Sequence, residues 1–393
     1  MALPKILVLV LAGGQGGRLE LLTETRAKPA VPFAGVYRLI DFPLSNCEHS
    51  QIPDVWVSVQ YQPMSLSQHL ANGRPWDLDR TTGGLMVLPP FQAPSERAGF
   101  TAGTADGLWR QAQLIRDFAP DALVVVSSDA VYKLDYRAVV DEHLGSGAEV
   151  TMVTTDVAAD DASRYGIVQT DGDRVTDYAY KPDEPATTTA TNEVFVFSPT
   201  PTLDRLEALD DEVGEEGLED LGTHLLPAQT RDGVARAHRL NSYWRDVGTV
   251  EAYWQAHQDF LSPEPPIDLD EPAWPVHTRG GRRSAARVLH GAVVEGSLIS
   301  GGTRVAGRVS GSVLSPGVVV EEGATVVDSV LLPGARVRAG ATVTRTVLDD
   351  DVVVGRSATV GGDGDITLVG RRAQVEDGAE LAAGARLPEP ERS

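Results

Sequence analysis

A glycine-rich loop follows the first apolar run of the chain and could bind an anion. The segment Leu11-Ala-Gly-Gly-Gln-Gly-Gly-Arg-Leu19 exposes backbone N–H groups, and glycine permits the positive φ angles and the close approach that a phosphate requires. The segment lacks the Gly-Lys-Ser/Thr end of a Walker motif and the Gly-x-Gly-x-x-Gly spacing of a dinucleotide-binding fingerprint. Taken alone, the loop is either a phosphate cradle of another type or a plain tight turn.

Lysine is rare in this chain, so the positions of its lysines carry information. The 34 basic residues include only Lys5, Lys28, Lys133 and Lys181, and the others are arginine. A compact ammonium and a planar guanidinium do not replace each other at tight sites. We therefore predict that lysine is retained where a ligand needs it. The alternative is that four positions arise by chance, and Lys133 could be an ordinary surface lysine.

Short apolar runs alternate with amphipathic segments over residues 1–262. The strand candidates are residues 5–10, 55–60, 122–127, 149–154 and 194–198, and helical patterns cover residues 105–118 and 136–144. This alternation is typical of a mostly parallel, doubly wound α/β sheet. The proline-rich residues 263–280 lack periodicity and are predicted to form a linker or an interdomain strap.

The pattern changes again in residues 281–393, where valine and glycine dominate from about Arg287 onward. Apolar residues recur in steps of six, with Thr325 at the one step that is not apolar; the others are Val313, Val319, Leu331, Val337 and Val343. A period of six predicts a parallel β-helix, in which each coil stacks on the one before. A β-sandwich with valine-rich strands is the alternative.

Composition excludes several classes of function. The net charge of −22 argues against sequence-independent nucleic-acid binding, which needs basic surface for phosphates. The apolar residues 6–12 are too few to span a bilayer, and we favour a buried strand over a signal-peptide core although Lys5 precedes them. The single Cys47 excludes an internal disulfide and suits the cytoplasm.

Further motifs give the chain a specific family resemblance. The loop is followed by Arg26-Ala-Lys-Pro-Ala-Val-Pro-Phe33 and Tyr37-Arg-Leu-Ile-Asp-Phe-Pro-Leu-Ser-Asn46, and later by Gly103-Thr-Ala-Asp106 and Tyr243-Trp-Arg-Asp-Val-Gly-Thr249. With the hexapeptide tail, this combination resembles bacterial ADP-glucose pyrophosphorylases over nearly the whole chain. The resemblance implies a Rossmann-like nucleotidyltransferase domain over residues 1–262 and a left-handed β-helix over residues 281–393.

The resemblance also implies a reaction. The phosphate oxygen of a sugar 1-phosphate, glucose 1-phosphate in this family, attacks the α-phosphorus of ATP, and pyrophosphate leaves. Such chemistry, which serves glycogen or α-glucan synthesis, depends on positioning and charge neutralisation. The resemblance implies Mg²⁺ as the cofactor and a homotetramer, with or without a paralogous subunit, that binds no nucleic acid and no membrane.

The family roles carry over to positions in this sequence. Arg18, Lys28 and Asp129 would be catalytic, and Asp129 and Asp246 would hold Mg²⁺. The nucleotide would contact Leu11, Ala12, Gly13, Gly14, Gly16, Arg18, Lys28, Gln60, Gly103, Thr104 and Asp106. The sugar phosphate would contact Tyr180, Lys181, Thr191, Glu193 and Asp246.

The chain departs from the family mainly where the sugar is expected. The family's Gly-Asp-His reads Ser128-Asp-Ala130, its Glu-Lys-Pro reads Tyr180-Lys-Pro182, and its Ser-Met-Gly reads Thr191-Asn-Glu193. An aromatic-Tyr-Arg triplet reads Phe100-Thr-Ala102. We therefore expect a reshaped pocket that handles glucose 1-phosphate poorly, unless the alignment is shifted near residues 183–192.

Several functions remain open at this point. Glu193 could favour an amino sugar phosphate, replace the lost carboxylate or block the pocket. An active enzyme is favoured over a catalytically weak homologue that acts as a regulatory or assembly subunit. An acyltransferase β-helix would need a histidine base between coils, and His290 is the only histidine after the linker, so a packing or oligomerisation role is favoured.

Overall fold

The computed structural model describes residues 3–14, 16–90, 101–269, 271–281 and 283–388. Gln15 of the glycine-rich loop and Phe100 of the altered triplet lie outside the described residues. Within the described ranges, no helix is both long enough and apolar enough to cross a membrane.

A nine-stranded sheet forms the centre of the N-terminal domain. Its strands are β1 (Ile6–Ala12), β4 (Asp54–Val59), β5 (Gly84–Leu88), β6 (Ala122–Ser127), β8 (Val150–Asp156), β9 (Gly166–Asp171), β10 (Arg174–Tyr180), β11 (Thr189–Phe197) and β12 (Ala235–Arg239). They lie in the order β5-β4-β1-β6-β11-β8-β12-β10-β9. Only β10 and β11 run against the other strands, so the predicted mostly parallel sheet is confirmed.

Two short ribbons and a set of helices complete this domain. The ribbons pair β2 (Pro32–Phe33) with β3 (Tyr37–Arg38), and β7 (Ala130–Tyr132) with β13 (Trp244–Asp246). The α-helices of the described residues are α1 (Asp41–His49), α2 (Pro63–Leu70), α3 (Thr104–Trp109), α4 (Ala112–Phe118), α5 (Tyr136–Ser146), α6 (Pro199–Val213), α7 (Leu225–Arg231) and α8 (Val250–Asp259). The helical pattern predicted over residues 105–118 is thus divided between α3 and α4.

Alternate residues of the central strands bury into two different layers. In β1, Val8 and Val10 pack in the same cluster as Leu44 of α1 and Leu66 of α2. Leu7 and Leu9 point to the other face, in a cluster that contains residues of α3, α4, α6 and α7. Burial on both faces explains why β1 is an unbroken apolar run instead of an alternating one.

The C-terminal domain is a parallel β-helix with three six-stranded walls. The first wall contains β14 (Arg287–Val288), β17 (Arg304–Val305), β20 (Val319–Val320), β23 (Arg336–Val337), β26 (Val353–Val354) and β29 (Gln374–Val375). The second contains β15 (Val293–Glu295), β18 (Arg308–Ser310), β21 (Thr325–Val327), β24 (Thr342–Thr344), β27 (Thr359–Gly361) and β30 (Glu380–Leu381). The third contains β16 (Leu298–Ile299), β19 (Val313–Leu314), β22 (Val330–Leu331), β25 (Thr346–Leu348), β28 (Thr367–Val369) and β31 (Arg386–Leu387).

The strict sixfold spacing predicted from the sequence is wrong in detail. Val320 pairs with Val337, which pairs with Val354, so these two coils take 17 residues each, made of two steps of six and one of five, whereas the coil from Val305 to Val320 takes 15 and the coil from Val354 to Val375 takes 21. The buried positions are therefore Val320 and Val326, while Val319 and Thr325 are only partly buried. The β-helix itself is confirmed, but the stacking of coils decides which residues of each repeat are buried. We call this the phase of the repeat.

The third wall of the β-helix packs against the N-terminal domain. Val330, Val347 and Leu368 share one buried cluster with Leu19 and Phe33. A buried ion pair also joins the domains, because Arg26 lies 2.5 Å from Asp349, and the two side chains are 4% and 0% exposed. Removing residues 281 onward would therefore expose the apolar surface of the N-terminal domain that contains Leu19 and Phe33.

The segment of residues 271–281 lies on the N-terminal domain; we call it the strap. The indole N–H of Trp274 donates to Asn46 Oδ1 (3.3 Å) in α1. The backbone carbonyl of His277 accepts from Trp76 Nε1 (3.1 Å), and the backbone N–H of His277 donates to Ser45 Oγ (2.9 Å). These contacts hold against the N-terminal domain a segment that the sequence suggested to be a linker or an interdomain strap.

Candidate active site

A cavity of about 370 Å³ opens beside the ends of β1 and β6. In open α/β sheets, ligands bind outside the carboxyl ends of the parallel strands. Most of the predicted site residues line the cavity, namely Leu11, Gly13, Gly14, Lys28, Gln60, Gly103, Thr104, Asp129, Tyr180, Lys181, Thr191 and Glu193. The fold therefore brings the two predicted halves, for nucleotide and for sugar, into one cavity.

The glycine-rich loop needs glycine at Gly16. Its φ of 71° lies in the left-handed region, and a Cβ there would come within 2.9 Å of Lys28 Cβ. The stem of Lys28 consequently packs directly on the loop. Ala12, which was predicted to contact the nucleotide, is 1% exposed and belongs to the core behind the loop.

Lys28 lies between the two aspartates that were predicted to hold a metal ion. Its Nζ is 2.6 Å from Asp129 Oδ2 and 3.7 Å from Asp246 Oδ1. The aspartates come together because β7 pairs with β13 in a register that places Asp246 opposite Ala130. The hydroxyl of Ser127 donates to the other oxygen of Asp129, and Arg164 Nη2 lies 3.4 Å from Asp246 Oδ2.

This arrangement shifts the pKa of each member. Burial opposes the charge on Asp129, but the Lys28 ammonium and the hydrogen bonds from Lys28 and Ser127 lower the pKa of Asp129 overall. Burial likewise disfavours the charged form of Lys28, but the neighbouring carboxylates raise its pKa. For Asp246, burial and then the charge of Asp129 raise the pKa. One ammonium therefore does not neutralise both carboxylates.

Glu193 adds a third carboxylate to this cluster. The register of β11 and β6, with Val194 opposite Val126, places Glu193 across from Ser127. Its φ of 59° lies in the left-handed region that favours glycine, at an irregularity in the pairing of β11 with β8. Protein encloses Glu193, although solvent in the cavity reaches it, and this burial together with the charges of Asp129 and Asp246 raises the pKa of Glu193 to about 7.

On the predicted sugar side, hydrogen bonds link Lys181 through Tyr180 to the carboxylate of Asp220, which the motifs did not reveal. Lys181 Nζ donates to Tyr180 Oη (2.7 Å), and Tyr180 Oη donates to Asp220 Oδ2 (2.7 Å). The other oxygen of Asp220 accepts from the backbone N–H of Thr104 (3.1 Å). Gly103 permits this approach, because a Cβ there would lie 2.4 Å from the Glu219 carbonyl carbon.

Other predicted residues lie behind or beside the cavity. Asp106 accepts hydrogen bonds from Arg110 Nε (2.9 Å) and from the backbone N–H of Ala102 (2.9 Å), so it holds the start of α3. Arg18 is exposed and lies beside Asp246, whose charge it helps to offset. Thr191 Oγ1 donates to the carbonyl of Gly166 (3.3 Å) at the cavity wall.

Lys133 does not belong to the site. Its ammonium donates to the Asp268 carbonyl (2.9 Å) and to Glu271 Oε2 (2.7 Å), in the segment before and at the start of the strap. Of the rare lysines, Lys28 and Lys181 therefore line the cavity, whereas Lys133 does not.

Sequence reasoning missed Asp220, Ser127 and Arg164. Asp220 lies 116 residues from Thr104 and 40 from Tyr180, so no local spacing connects them. Ser127 ends a predicted strand two residues before Asp129, which is a local signal that could have been used. Arg164 reaches Asp246 from a 3₁₀ helix, Ala159–Arg164, that no sequence pattern indicated.

Comparison with known proteins agrees with this geometry. Residues 7–262 match the family model described as nucleotidyl transferase, and residues 276–378 match the one described as GlmU-like, C-terminal hexapeptide. The glucose-1-phosphate adenylyltransferase of Acetivibrio thermocellus is 35% identical over 392 residues, which are 96% of this chain and 91% of that protein. The chain belongs to the glucose-1-phosphate adenylyltransferase family.

Other members of the family are equally similar. The glucose-1-phosphate adenylyltransferase of Thermotoga neapolitana is 40% identical over 82% of this chain and 76% of that protein. That of Lachnospira eligens is 38% identical over 81% of this chain and 74% of that protein. The resemblance inferred from the motifs is confirmed, and the hexapeptide match with three parallel walls is consistent with a left-handed β-helix.

Nucleotidyl transferases of this kind generally use a divalent metal ion. The residues present fit such an ion, because Asp129, Asp246 and Glu193 offer hard oxygen ligands of the type that Mg²⁺ prefers. Burial raises the pKa values of Asp246 and Glu193 most, and the negative charge of Asp129, which Lys28 does not fully offset, raises them further. A cation at this point would relieve that repulsion.

Proposed function

We propose that this chain transfers the adenylyl group of ATP to glucose 1-phosphate or a related sugar 1-phosphate, and so forms an ADP-sugar and pyrophosphate. The observation that carries the proposal is Lys28, held between Asp129 and Asp246 at the mouth of the glycine-rich loop. An ammonium and two carboxylates at a phosphate cradle suit phosphoryl chemistry, which depends on positioning and charge neutralisation.

The protein residues would divide the work between the two substrates. Backbone N–H groups of Gly13 and Gly14 would cradle the phosphates, as loops at strand ends do. The ammonium of Lys28 would interact partly with the triphosphate and partly with the carboxylates. Arg18 would lie beside it at the rim of the cavity. Lys181 would neutralise the sugar phosphate, and Tyr180 and Asp220 would hold its position through their hydrogen bonds.

Asp129 and Asp246 would hold Mg²⁺, which when bound supplies positive charge to the triphosphate. The remaining contribution comes from the chain, which fixes the two carboxylates through the pairing of β7 with β13. Ser127 and Arg164 orient the oxygens of these carboxylates by their contacts. This positioning limits the freedom of the ligand set before substrate arrives.

The altered sugar side supports a narrower proposal. Tyr180 stands where the family resemblance places a glutamate, and its hydroxyl is engaged with Asp220. Glu193 projects a carboxylate into the cavity from a position where glycine is expected. We infer that glucose 1-phosphate is a weaker acceptor than in typical relatives, and that an amino sugar phosphate is accommodated through the charge of Glu193.

Assembly, pathway and location follow as further proposals. A cytoplasmic homotetramer, with or without a paralogous subunit, that serves glycogen or α-glucan synthesis agrees with the family and with the buried free thiol of Cys47. Because the third wall of the β-helix packs on the N-terminal domain, deleting residues from 281 onward would damage the fold as well as the assembly. Sedimentation of the intact chain at micromolar concentration is the sounder test, and a monomer would contradict the proposal.

Pyrophosphate release with ATP and a panel of sugar 1-phosphates tests the activity. We expect turnover with ATP that depends on a sugar 1-phosphate and is lost in Asp129→Asn. A double variant, Tyr180→Glu with Glu193→Gly, should regain efficiency with glucose 1-phosphate. Wild-type efficiency equal to that of a typical relative would refute the specificity proposal. Retained ATP binding without turnover on any sugar phosphate would instead favour a regulatory subunit.

A further inference from the structure

Three side chains that could bind a metal ion lie where the strap meets the end of α1. Glu48 and His49 are the last two residues of that helix, and His277 belongs to the strap. One potential ligand atom of each lies within 4.8 Å of the others. The cluster is separate from the cavity described above, since none of its residues lines that cavity.

The hydrogen bonds of His49 fix the state of its ring. Nε2 lies 2.7 Å from the backbone carbonyl of Pro275, and a carbonyl only accepts, so Nε2 must carry the proton. In a neutral ring Nδ1 then has a lone pair, and this lone pair faces Glu48 Oε2 at 2.9 Å. The ring also packs on Trp274, with centroids 4.6 Å apart, so it is not free to turn away.

Glu48 Oε2 is a buried oxygen that lacks a hydrogen bond. Although it lies 2.9 Å from His49 Nδ1 and 3.5 Å from His277 Nε2, it accepts no hydrogen bond from any residue in the described ranges. A buried carboxylate oxygen without a partner is costly. Two imidazole nitrogens therefore face one unsatisfied oxygen, which is the arrangement of ligands around a shared cation.

We propose that Glu48, His49 and His277 form a binding site for a divalent ion of the zinc class. Zinc binds nitrogen at about 2.0–2.1 Å and carboxylate oxygen at about 2.0–2.2 Å. With such bond lengths, ligand atoms 2.9 Å and 3.5 Å apart subtend angles of roughly 90° and 115° at one ion. These two separations from Glu48 Oε2 are therefore each compatible with a pair of ligands on one ion.

The chemistry of the ligands selects the ion. Imidazole suits Zn²⁺ and similar transition metals, whereas Mg²⁺ prefers oxygen. The hydrogen bond from His49 Nε2 to a backbone carbonyl is the outer contact that metal-binding histidines typically make. The side chains of Glu48 and His277 are 30% and 33% exposed, so water can reach the ion and complete its coordination.

The role of this ion is to fasten the strap to α1. The neighbouring Asn46 bonds both to Trp274 in the strap and to the backbone of Tyr132 and Leu134 beside β7. An ion that joins His277 to Glu48 and His49 therefore strengthens a connection between the strap and the end of β7 in the β7–β13 ribbon. Its principal effect is expected on stability and not on the chemical step.

The test compares zinc binding by untagged, full-length protein and by three variants. The protein is stripped with chelator, placed in excess Mg²⁺, and titrated with Zn²⁺ by calorimetry. His277→Gln removes a partly exposed ligand, His49→Gln removes a second, and His290→Gln is the control, because His290 is an exposed histidine of the β-helix domain. Any zinc that binds elsewhere, including the acidic cavity, contributes equally to all four proteins.

We expect one more equivalent of Zn²⁺ in wild type and His290→Gln than in the two ligand variants, or an affinity at least tenfold higher. Zinc should also raise the melting temperature of wild type, and His277→Gln should lose this rise while its circular dichroism is unchanged. Because protons compete for imidazole, binding should weaken as pH falls. Identical titrations of wild type and His277→Gln would overturn the proposal and leave a proton between His49 and Glu48.

Discussion

Glu193 offers a prediction that separates a backbone effect from a charge effect. Burial and then the charges of Asp129 and Asp246 raise the pKa of Glu193 from 4.5 to about 7. In metal-free protein, the folded state therefore holds this proton more tightly than the unfolded state does. The stabilisation from this proton is fully present below pH 4.5 and is lost as the pH rises through 7.

The size of the charge effect follows from the shift. Each pKa unit corresponds to about 1.4 kcal/mol, so the shift would be worth about 3 kcal/mol without screening. Solvent reaches Glu193 in the cavity, so we expect about 1–2 kcal/mol at pH 8. Separately, a φ of 59° in a residue other than glycine costs about 1 kcal/mol.

Two substitutions distinguish these contributions. Glu193→Gln keeps the strained φ and removes the charge, so it should stabilise metal-free protein by about 1–2 kcal/mol at pH 8 and by about half of that or less at pH 5, where the charge effect is only partly developed. Glu193→Gly removes both the charge and the strained φ. It should therefore stabilise the protein by about 1 kcal/mol more than Glu193→Gln does, at either pH.

Urea unfolding in chelator, followed by tryptophan fluorescence, measures these differences. Wild type and both variants are compared at the two pH values in the same buffer and at the same ionic strength. If Glu193→Gln has the same effect at pH 5 and pH 8, Glu193 does not carry the charge repulsion inferred from the cluster. If Glu193→Gly adds nothing to Glu193→Gln, the positive φ stores no strain.

Three further outcomes are expected. Asp129→Asn should lower turnover by several orders of magnitude with the fold unchanged, and turnover within about tenfold of wild type would remove Asp129 from the metal site. Lys28→Arg should mainly weaken ATP handling and Lys181→Arg should mainly raise KM for the sugar phosphate, so equal and negligible kinetic effects would contradict both roles. Arg26→Met should destabilise the protein by about 3–5 kcal/mol in urea because it isolates buried Asp349, and adding Asp349→Leu should recover most of this loss; failure of that recovery would refute the pairing.

The sequence by itself determined the family, the order of the two domains and most of the residues that line the cavity near the glycine-rich loop. These features are encoded locally: the glycine-rich loop, Arg26 to Lys28 and the segment from Gly103 lie within short motifs at strand ends or helix starts. Backbone geometry over a few neighbouring residues is enough to give such segments their shape. Lys28 and Lys181 were also recovered by their rarity alone, and both line the cavity.

The phase of the β-helix was decided by the tertiary structure. Val318, Val319 and Val320 are consecutive, so apolar spacing does not determine which of them faces the interior. The stacking of coils buries Val318 and Val320 and leaves Val319 partly exposed, and the pairing of Val320 with Val337 gives this coil 17 residues. Stacking between coils is a long-range constraint, which a local period of six approximates but does not fix.

Charge pairing was likewise decided only in three dimensions. Lys28 meets a carboxylate 101 residues away, and Lys133 pairs with Glu271, 138 residues away, instead of joining the site. Asp220 links Tyr180 to Thr104 across the cavity, although no motif marks it. A side chain's partner depends on which strand ends the sheet brings together, and the order of strands in the sheet differs from their order in the chain.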